Sequence, residues 1–114
     1  MKNTYILRIN CKESEINSID EIIGVSSTDS SNLHWEMCLV EEELDPVVDF
    51  VDRFLNLLDE KYNALSKIGV SREDITIWRY YEYDRECNLE IAPNKMKRLG
   101  EQGISLCISC WEQG

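Results

Sequence analysis

The stretch DITIWRYYEYD at residues 74–84 decides the fold, because its alternation describes a β-strand with two unlike faces. Ile75 and Ile77 lie on one face, and Trp78 and Tyr80 lie on the other. A strand covered by helices on both sides would be apolar on both faces. The stretch therefore predicts a sheet with one apolar face packed on helices and one mixed face left open.

The other strands follow from the same period of two. Alternation predicts strands at 4–11, 33–40 and 104–111, each with one apolar and one mixed face. Residues 88–91 are predicted as a short edge strand. Residues 25–32, rich in Ser, Thr and Asp, are predicted as a mobile surface loop.

The helices follow from apolar spacing and capping residues. Residues 15–23 have helical spacing, and Gly24 is predicted to end that helix. Asn94 is predicted to cap a last short helix, which Gly103 closes. The longest predicted helix is capped by Asp45, has Pro46 as its first residue and ends at Gly69. Its apolar stripe consists of Val47, Val51, Phe54, Leu58, Tyr62 and Leu65.

These elements have the order β-α-β-α-β-(β)-α-β in one domain that spans residues 1–114. The faces of the strands predict an α+β fold, a two-layer sandwich whose mixed sheet of four to five strands carries three helices on one face. A chain of 114 residues is long enough to bury one core without disulfide or metal staples.

Composition excludes several classes of partner. Twelve basic and 22 acidic residues give a net charge of −10, which argues against nucleic acid and against an anionic membrane surface. No apolar run approaches the roughly 20 residues of a spanning helix, and the first residues lack the pattern of a signal peptide. Five cysteines are an odd number without a secreted framework, so a cytoplasmic protein with reduced thiols is predicted.

Five stretches of the chain form a familiar combination: the strand at 5–9, the helix end at 22–24, the His-Trp pair at 34–35, the acidic amphipathic helix at 50–55 and the closing stretch at 99–106. With them the chain resembles a bacterial family known only as domain of unknown function 4279. It implies a small α+β fold in a cytoplasmic bacterial setting. It assigns no catalytic or ligand-binding residue.

The motifs of common enzymes are missing from the sequence. Cys107 and Cys110 form a C-x-x-C, but residues three apart on a strand point to opposite faces, and no second ligand pair exists. His34 and Glu36 share a face and could act as an acid–base pair, although no nucleophile accompanies them. The glycines form no phosphate-binding loop. No catalytic residue, metal site or cofactor is predicted.

Acidic residues concentrate in the segment 36–60, which holds nine of them against one basic residue, Arg53. Glu41, Glu42 and Glu43 lie just before the long predicted helix. One interpretation is a solvated helix face whose carboxylates also stabilise the helix dipole. The other is a negative patch that steers a basic protein partner.

The mixed face gathers aromatic and polar side chains. Strand parity places on it Arg8, His34, Glu36, Trp78, Tyr80 and Trp111. Aromatic residues with polar groups are enriched in this way at interfaces. A cover formed by the 25–32 loop, or a Trp78 packed at an edge, would explain the same pattern without a partner. A homodimer across this face is the plainest form of the interface.

The sequence thus predicts a small acidic bacterial protein that is a non-catalytic protein-binding module, with an immunity or inhibitor role as a specific hypothesis. The alternative is a small-molecule-binding or enzymatic domain in which Trp78 and Trp111 stack a ligand on the mixed face and His34, Glu36 or Arg8 fixes it. A third possibility is a purely structural homodimer.

Overall fold

The computed structural model describes residues 3–31, 34–41, 49–83 and 89–112. Two 3₁₀ turns, at Glu13–Glu15 and Arg72–Asp74, precede α1 and β4. The strands and helices are β1 (Asn3–Asn10), α1 (Ile16–Ile23), β2 (Asp29–Ser31), β3 (His34–Glu41), α2 (Phe50–Leu58), α3 (Tyr62–Lys67), β4 (Ile75–Tyr83), α4 (Pro93–Gln102) and β5 (Ser105–Glu112).

Within these residues the strands form one mixed sheet in the order β2-β3-β1-β4-β5. The central strand β1 is antiparallel to β3 and to β4, and β2 is antiparallel to β3. The last pair, β4 and β5, is parallel, and α4 lies in the connection between its strands. The predicted α+β fold with a mixed sheet is therefore confirmed.

The sheet contributes to the hydrophobic core through one face only, as far as the described residues go. We call this the core face and the opposite one the mixed face. Buried helix residues such as Phe54 and Leu58 belong to the same core cluster. The strand residues of the cluster are Tyr5, Leu7, Ile9, Trp35, Ile75 and Ile77, and all of them lie at the predicted apolar positions.

The long helix predicted from Asp45 to Gly69 is wrong, because the chain forms two helices instead. α2 ends at Leu58 and α3 begins at Tyr62, and Glu60 between them has a positive φ of 65°. Apolar residues at helical spacing show only that one side of a segment is buried. Two successive helices can bury such a stripe as well as one long helix does.

The predicted helix caps are corrected in two places. Asp49 caps α2, since its carboxylate accepts a hydrogen bond from the N–H of Asp52 at 3.3 Å. Asp45 and Pro46, the predicted cap and first residue, lie outside the described residues. α4 begins at Pro93, one residue before the predicted cap Asn94, because the fixed φ of proline suits the first helical position.

Two further corrections concern the edges of the sheet. Part of the predicted 25–32 loop is the strand β2, which pairs with β3. Thr28, just before β2, holds this segment against β3, because its N–H donates to the Glu36 carbonyl at 2.8 Å and its Oγ1 accepts from the Cys38 N–H at 2.7 Å. The edge of a sheet offers unpaired backbone N–H and C=O groups, so a neighbouring segment can form a strand there even when its own strand propensity is low. Residues 89–91 form no strand, and residue 88 lies outside the described residues.

Candidate functional site

A buried carboxylate lies at the centre of the mixed face. Glu36 on β3 is opposite Arg8 on β1, and only 6% of its surface is exposed. Arg8 Nε donates to Glu36 Oε1 at 2.7 Å, and His34 Nε2 lies 2.9 Å from the same oxygen. The predicted pairing of His34 with Glu36 is thus present, with Arg8 as a third member.

Arg8 extends this group to the neighbouring strand. Its Nη2 donates to the hydroxyl of Tyr80 at 3.3 Å, and its guanidinium carbon lies 4.9 Å from the ring centre of Trp78. Burial lowers the pKa of Arg8, but hydrogen bonds with Glu36 and Tyr80 outweigh it and raise the pKa above its ordinary value. Arg8 therefore stays charged and holds β1, β3 and β4 together on this face.

Aromatic rings continue the mixed face towards β5. Trp78 and Tyr80 stack with ring centres 5.7 Å apart, and Trp111 meets Tyr80 edge-on at 6.4 Å. The indole N–H of Trp78 donates to Thr76 Oγ1 at 3.0 Å. Trp111 and Val40 remain 46% and 50% exposed. The mixed face thus has apolar surface at Trp111 and at Val40 that no described part of the chain covers.

The structure brings together the residues that strand parity predicted for the mixed face, with Arg8 as the residue that joins them. The polar groups of Arg8, His34, Glu36 and Tyr80 contact one another through the arginine and the carboxylate, which holds these side chains in place. The predicted members found there are His34, Glu36, Trp78, Tyr80 and Trp111.

Glu41 does not belong to an exposed acidic patch, which corrects its predicted place. It is 8% exposed, and its carboxylate accepts hydrogen bonds from Asn3 Nδ2 and from the Tyr5 hydroxyl, both at 3.1 Å. Glu42 and Glu43 lie outside the described residues. The sequence missed the burial of Glu41 because its charge is compensated by hydrogen bonds from a distant strand.

The acidic residues of α2 are paired with cations of α4. Lys95 contacts Asp49 at 2.8 Å and also bonds Asp52, while Arg98 lies 2.9 Å from Asp52 and 3.0 Å from Asp59. Hydrogen bonds from Lys95 and Arg98 hold the pKa of Asp52 below its usual value. Part of the negative charge in segment 36–60 is therefore compensated within the molecule by residues far away in sequence.

A second candidate site, unforeseen from the sequence, is a cavity of about 560 Å³ on the core face. It lies beside the first turn of α2 and the residues that lead into α4. Tyr5 and Phe50 form part of its wall and stack with ring centres 4.5 Å apart. Its lining includes Asn3, Tyr5, Glu41, Phe50, Arg79 and Tyr81.

Two buried atoms of residues that line this cavity, Asn3 Oδ1 and Arg79 Nε, have no hydrogen-bond partner among the residues that the structure describes. The guanidinium carbon of Arg79 lies 5.3 Å from the ring centre of Tyr81 and 5.8 Å from that of Tyr5. Burial, reinforced by Glu41, raises the pKa of Tyr5 from 10.0 to about 12, so its hydroxyl keeps its proton near neutral pH.

One signal in the sequence points to this cavity. Arg79 lies between Ile77 and Tyr81 at an apolar-face position of the strand, where a charged side chain is out of place. The sequence cannot say which residues Arg79 meets there, because Asn3 and Glu41 come from other strands.

The C-x-x-C pair lies as predicted, with its two residues on opposite faces. Cys107 is beside Trp78 on the mixed face, and Cys110 is beside Tyr81 on the other. Within the described ranges, His, Cys, Asp and Glu side chains form no group of three that could hold a metal ion.

The chain has no significant match among protein-family models, curated proteins or solved structures. The resemblance to domain-of-unknown-function family 4279 therefore stays a prediction. Among the helices that the structure describes, none has the length and apolar character needed to cross a bilayer.

Proposed function

We propose that the chain is a non-catalytic protein-binding module that binds its partner through the mixed face of the sheet. The observation that carries the proposal is the row of Trp78, Tyr80 and Trp111 beside the paired Arg8 and Glu36. Interface centres are enriched in aromatic residues and arginine, and the mixed face has both.

The rigidity of this face supports binding of a large partner. The pairing of Arg8 with Glu36 and Tyr80 holds these side chains in place before any partner arrives. Because little side-chain freedom remains to be lost, the entropic cost of association is reduced. The exposed ring of Trp111 and the exposed side chain of Val40 then supply apolar area to bury.

The charge of the chain favours a basic partner. A net charge of −10 attracts a basic protein over long distances, whereas a second copy of the chain would bring the same charge and be repelled. An immunity or inhibitor role fits this chemistry, since a small acidic protein can block a basic toxin by covering its active surface. The proposed family resemblance places such a role in the bacterial cytoplasm.

Stacking of a small ligand between Trp78 and Trp111, the alternative prediction, has less support. Tyr80 lies between the two indoles and contacts both. The guanidinium of Arg8 lies over the ring of Trp78. The two tryptophans therefore leave no slot between them for a flat ligand.

Position-specific photo-crosslinking in cells of the source organism tests the proposal. We would place p-benzoylphenylalanine at Val40, at Trp111 and, as the matched control, at Met96 of α4, whose exposure of 53% is similar. We expect one basic protein to be crosslinked from positions 40 and 111 but not from 96. Equal labelling from position 96, no adduct at all, or an adduct with a second copy of the chain would contradict the proposal.

The adduct then allows a binding measurement with purified proteins. Trp111→Ala removes the most exposed ring of the row, and we expect it to weaken binding of the captured protein by about tenfold or more. Met96→Ala is the control, and it should leave the affinity unchanged. An unchanged affinity in Trp111→Ala would show that the mixed face is not the contact surface.

A further inference from the structure

The two edge strands of the described sheet differ in length and in charge. β2 has three residues and includes an aspartate, whereas β5 has eight and carries no charged residue before Glu112. An open edge pairs readily with another chain, and natural sheets prevent this with a short edge strand, a charged residue or a proline. β2 is short and has a charged residue, but residues 105–111 of β5 have none of these protections.

The outer side of β5 has no partner in the described part of the chain. β5 pairs with β4 on its inner side, and no other backbone hydrogen bond from the described residues reaches 105–112. In a strand that is bonded on one side only, about half of the backbone N–H and C=O groups point away from the sheet. Along eight residues these groups form a row to which an extended chain can bond.

Exposed apolar side chains lie on both sides of this row. Ile108 is 43% exposed and lies opposite Arg79, on the core-face side of the sheet, while Trp111 is 46% exposed on the mixed face. Side chains of an added strand point alternately to the two faces, so they would lie beside Ile108 on one and beside Trp111 on the other. Because Trp111 also belongs to the row of rings on the mixed face, the edge and that face form one continuous surface.

We propose that the partner of the mixed face also adds a strand to the sheet, by pairing an extended segment with the outer edge of β5. This inference rests on the proposed function, since the partner is the same basic protein. The segment has β-branched or other apolar residues at successive positions, no proline, and a lysine or arginine beside the exposed Glu112. A second copy of the chain is disfavoured, because each copy carries a net charge of −10.

Photo-crosslinking from position 108 separates strand addition from binding to the mixed face alone. The side chain there points to the core-face side, where a partner that covers only the mixed face does not reach it. We would place p-benzoylphenylalanine at Ile108 and compare it with Val40 and Trp111 on the mixed face and with Met96 as the control. We expect the adducts from 108 and 111 to map by mass spectrometry to one continuous segment of the same basic protein, about three residues apart.

The crosslinks distinguish failure of this inference from failure of the proposed function. Capture from 40 and 111 but not from 108 would overturn strand addition and leave the mixed face as the interface. Adducts from 108 with a second copy, or with a part of the partner far from the segment found at 111, would also overturn it. Capture from 108 and 111 but not from 40 would support strand addition and contradict binding across the mixed face. No capture at any position would overturn both.

Amide hydrogen exchange detects the pairing itself. We would follow the full chain by nuclear magnetic resonance, alone and with the protein captured from position 111. We expect alternate amides of residues 105–112 to exchange at least about tenfold more slowly in the complex, because the added strand bonds the N–H groups that point outwards. The amides of β2, at the other edge, should keep their rates. Unchanged exchange along β5 in the complex would overturn the inference, whatever the crosslinks show.

A pair of lysine variants separates the edge from the overall charge. Ile108→Lys places a charged side chain on the edge strand, while Met96→Lys makes the same change of charge on α4. We expect Ile108→Lys to weaken binding of the captured protein about tenfold or more, and Met96→Lys to weaken it by a factor of about three at most. Equal weakening would show that charge alone accounts for the loss and would overturn the inference.

Discussion

Two clusters of the same composition lie on opposite faces of one sheet. On the mixed face, Arg8, Glu36 and Tyr80 come from β1, β3 and β4 and are bonded through the arginine. On the core face the same three strands supply Tyr5, Glu41 and Arg79.

The bonding of the two clusters differs. Glu36 accepts from Arg8, whereas the Glu41 carboxylate accepts from Tyr5 and Asn3 and leaves Arg79 Nε without a partner. A closed cluster stabilises the fold and holds a surface rigid. A cluster that leaves buried polar atoms unbonded gives up stability.

The largest effect is expected from breaking the hydrogen-bonded cluster of the mixed face. Arg8→Met keeps much of the side-chain volume but leaves the buried Glu36 carboxylate without its strongest partner. We expect a loss of about 2–3 kcal/mol in the free energy of unfolding, measured by urea denaturation at neutral pH. Arg53→Met, at an exposed position, should change the free energy by less than about 0.5 kcal/mol. A small loss in Arg8→Met would mean that the two clusters do not differ in the way described.

A pair of tyrosine variants compares the carboxylate-bound hydroxyl with the arginine-bound one. Tyr5→Phe removes a buried bond to Glu41 and should cost about 1–2 kcal/mol, while Tyr80→Phe removes a 3.3 Å bond at a half-buried position and should cost less than about 1 kcal/mol. Urea denaturation of both variants checks the order. A larger loss in Tyr80→Phe would reverse the comparison.

The effect of Tyr5→Phe should also depend on pH. Folding raises the pKa of Tyr5 from 10.0 to about 12, so the folded state binds this proton more tightly than the unfolded chain. The stability that this gives is complete below pH 10 and is lost as pH rises towards 12. The difference between the wild type and Tyr5→Phe should therefore shrink over that interval, which denaturation at several pH values measures.

The smallest effect is expected from removing Arg79. Arg79→Met deletes the buried Nε donor, which has no partner among the described residues, together with two cation–π contacts, so the free energy of unfolding should change by less than about 1 kcal/mol in either direction. Compared with Arg8→Met, this variant gives the sharpest contrast between the clusters. A loss as large as that in Arg8→Met would show that Arg79 stabilises the fold as strongly as Arg8 does.

The mixed face could be predicted from the sequence because it depends on strand parity alone. Side chains alternate along any strand, and the apolar positions identify the buried face. Trp78, Tyr80 and Trp111 therefore had to share the opposite face, whatever the order of the strands. The role of Arg8 in joining them required the register, since its contacts with Glu36 and Tyr80 cross from β1 to both of its neighbours.

Other features could not be predicted because they depend on contacts between distant residues. In the sequence, the carboxylates in and beside α2 indicate a negative patch, and only the structure places Lys95 and Arg98 of α4 beside them. β2 forms from a segment of low strand propensity because β3 offers it an edge. Hydrophobic periodicity cannot show the break between α2 and α3 at Glu60, because the apolar residues keep their helical spacing across it.

By itself, then, the sequence determined which face of each predicted strand is turned to the core, since the period of two is a local property of the chain. The burial of Glu41, one residue beyond the predicted strand 33–40, was not part of that prediction. Only the tertiary structure decided which of those side chains meet. The strand order β2-β3-β1-β4-β5 places Arg8 against Glu36 on one face, and it brings Arg79, Asn3 and Glu41 to the same cavity on the other. The physical reason is that hydrogen bonds and ion pairs between strands depend on register and strand order, which arise when the whole chain packs its core.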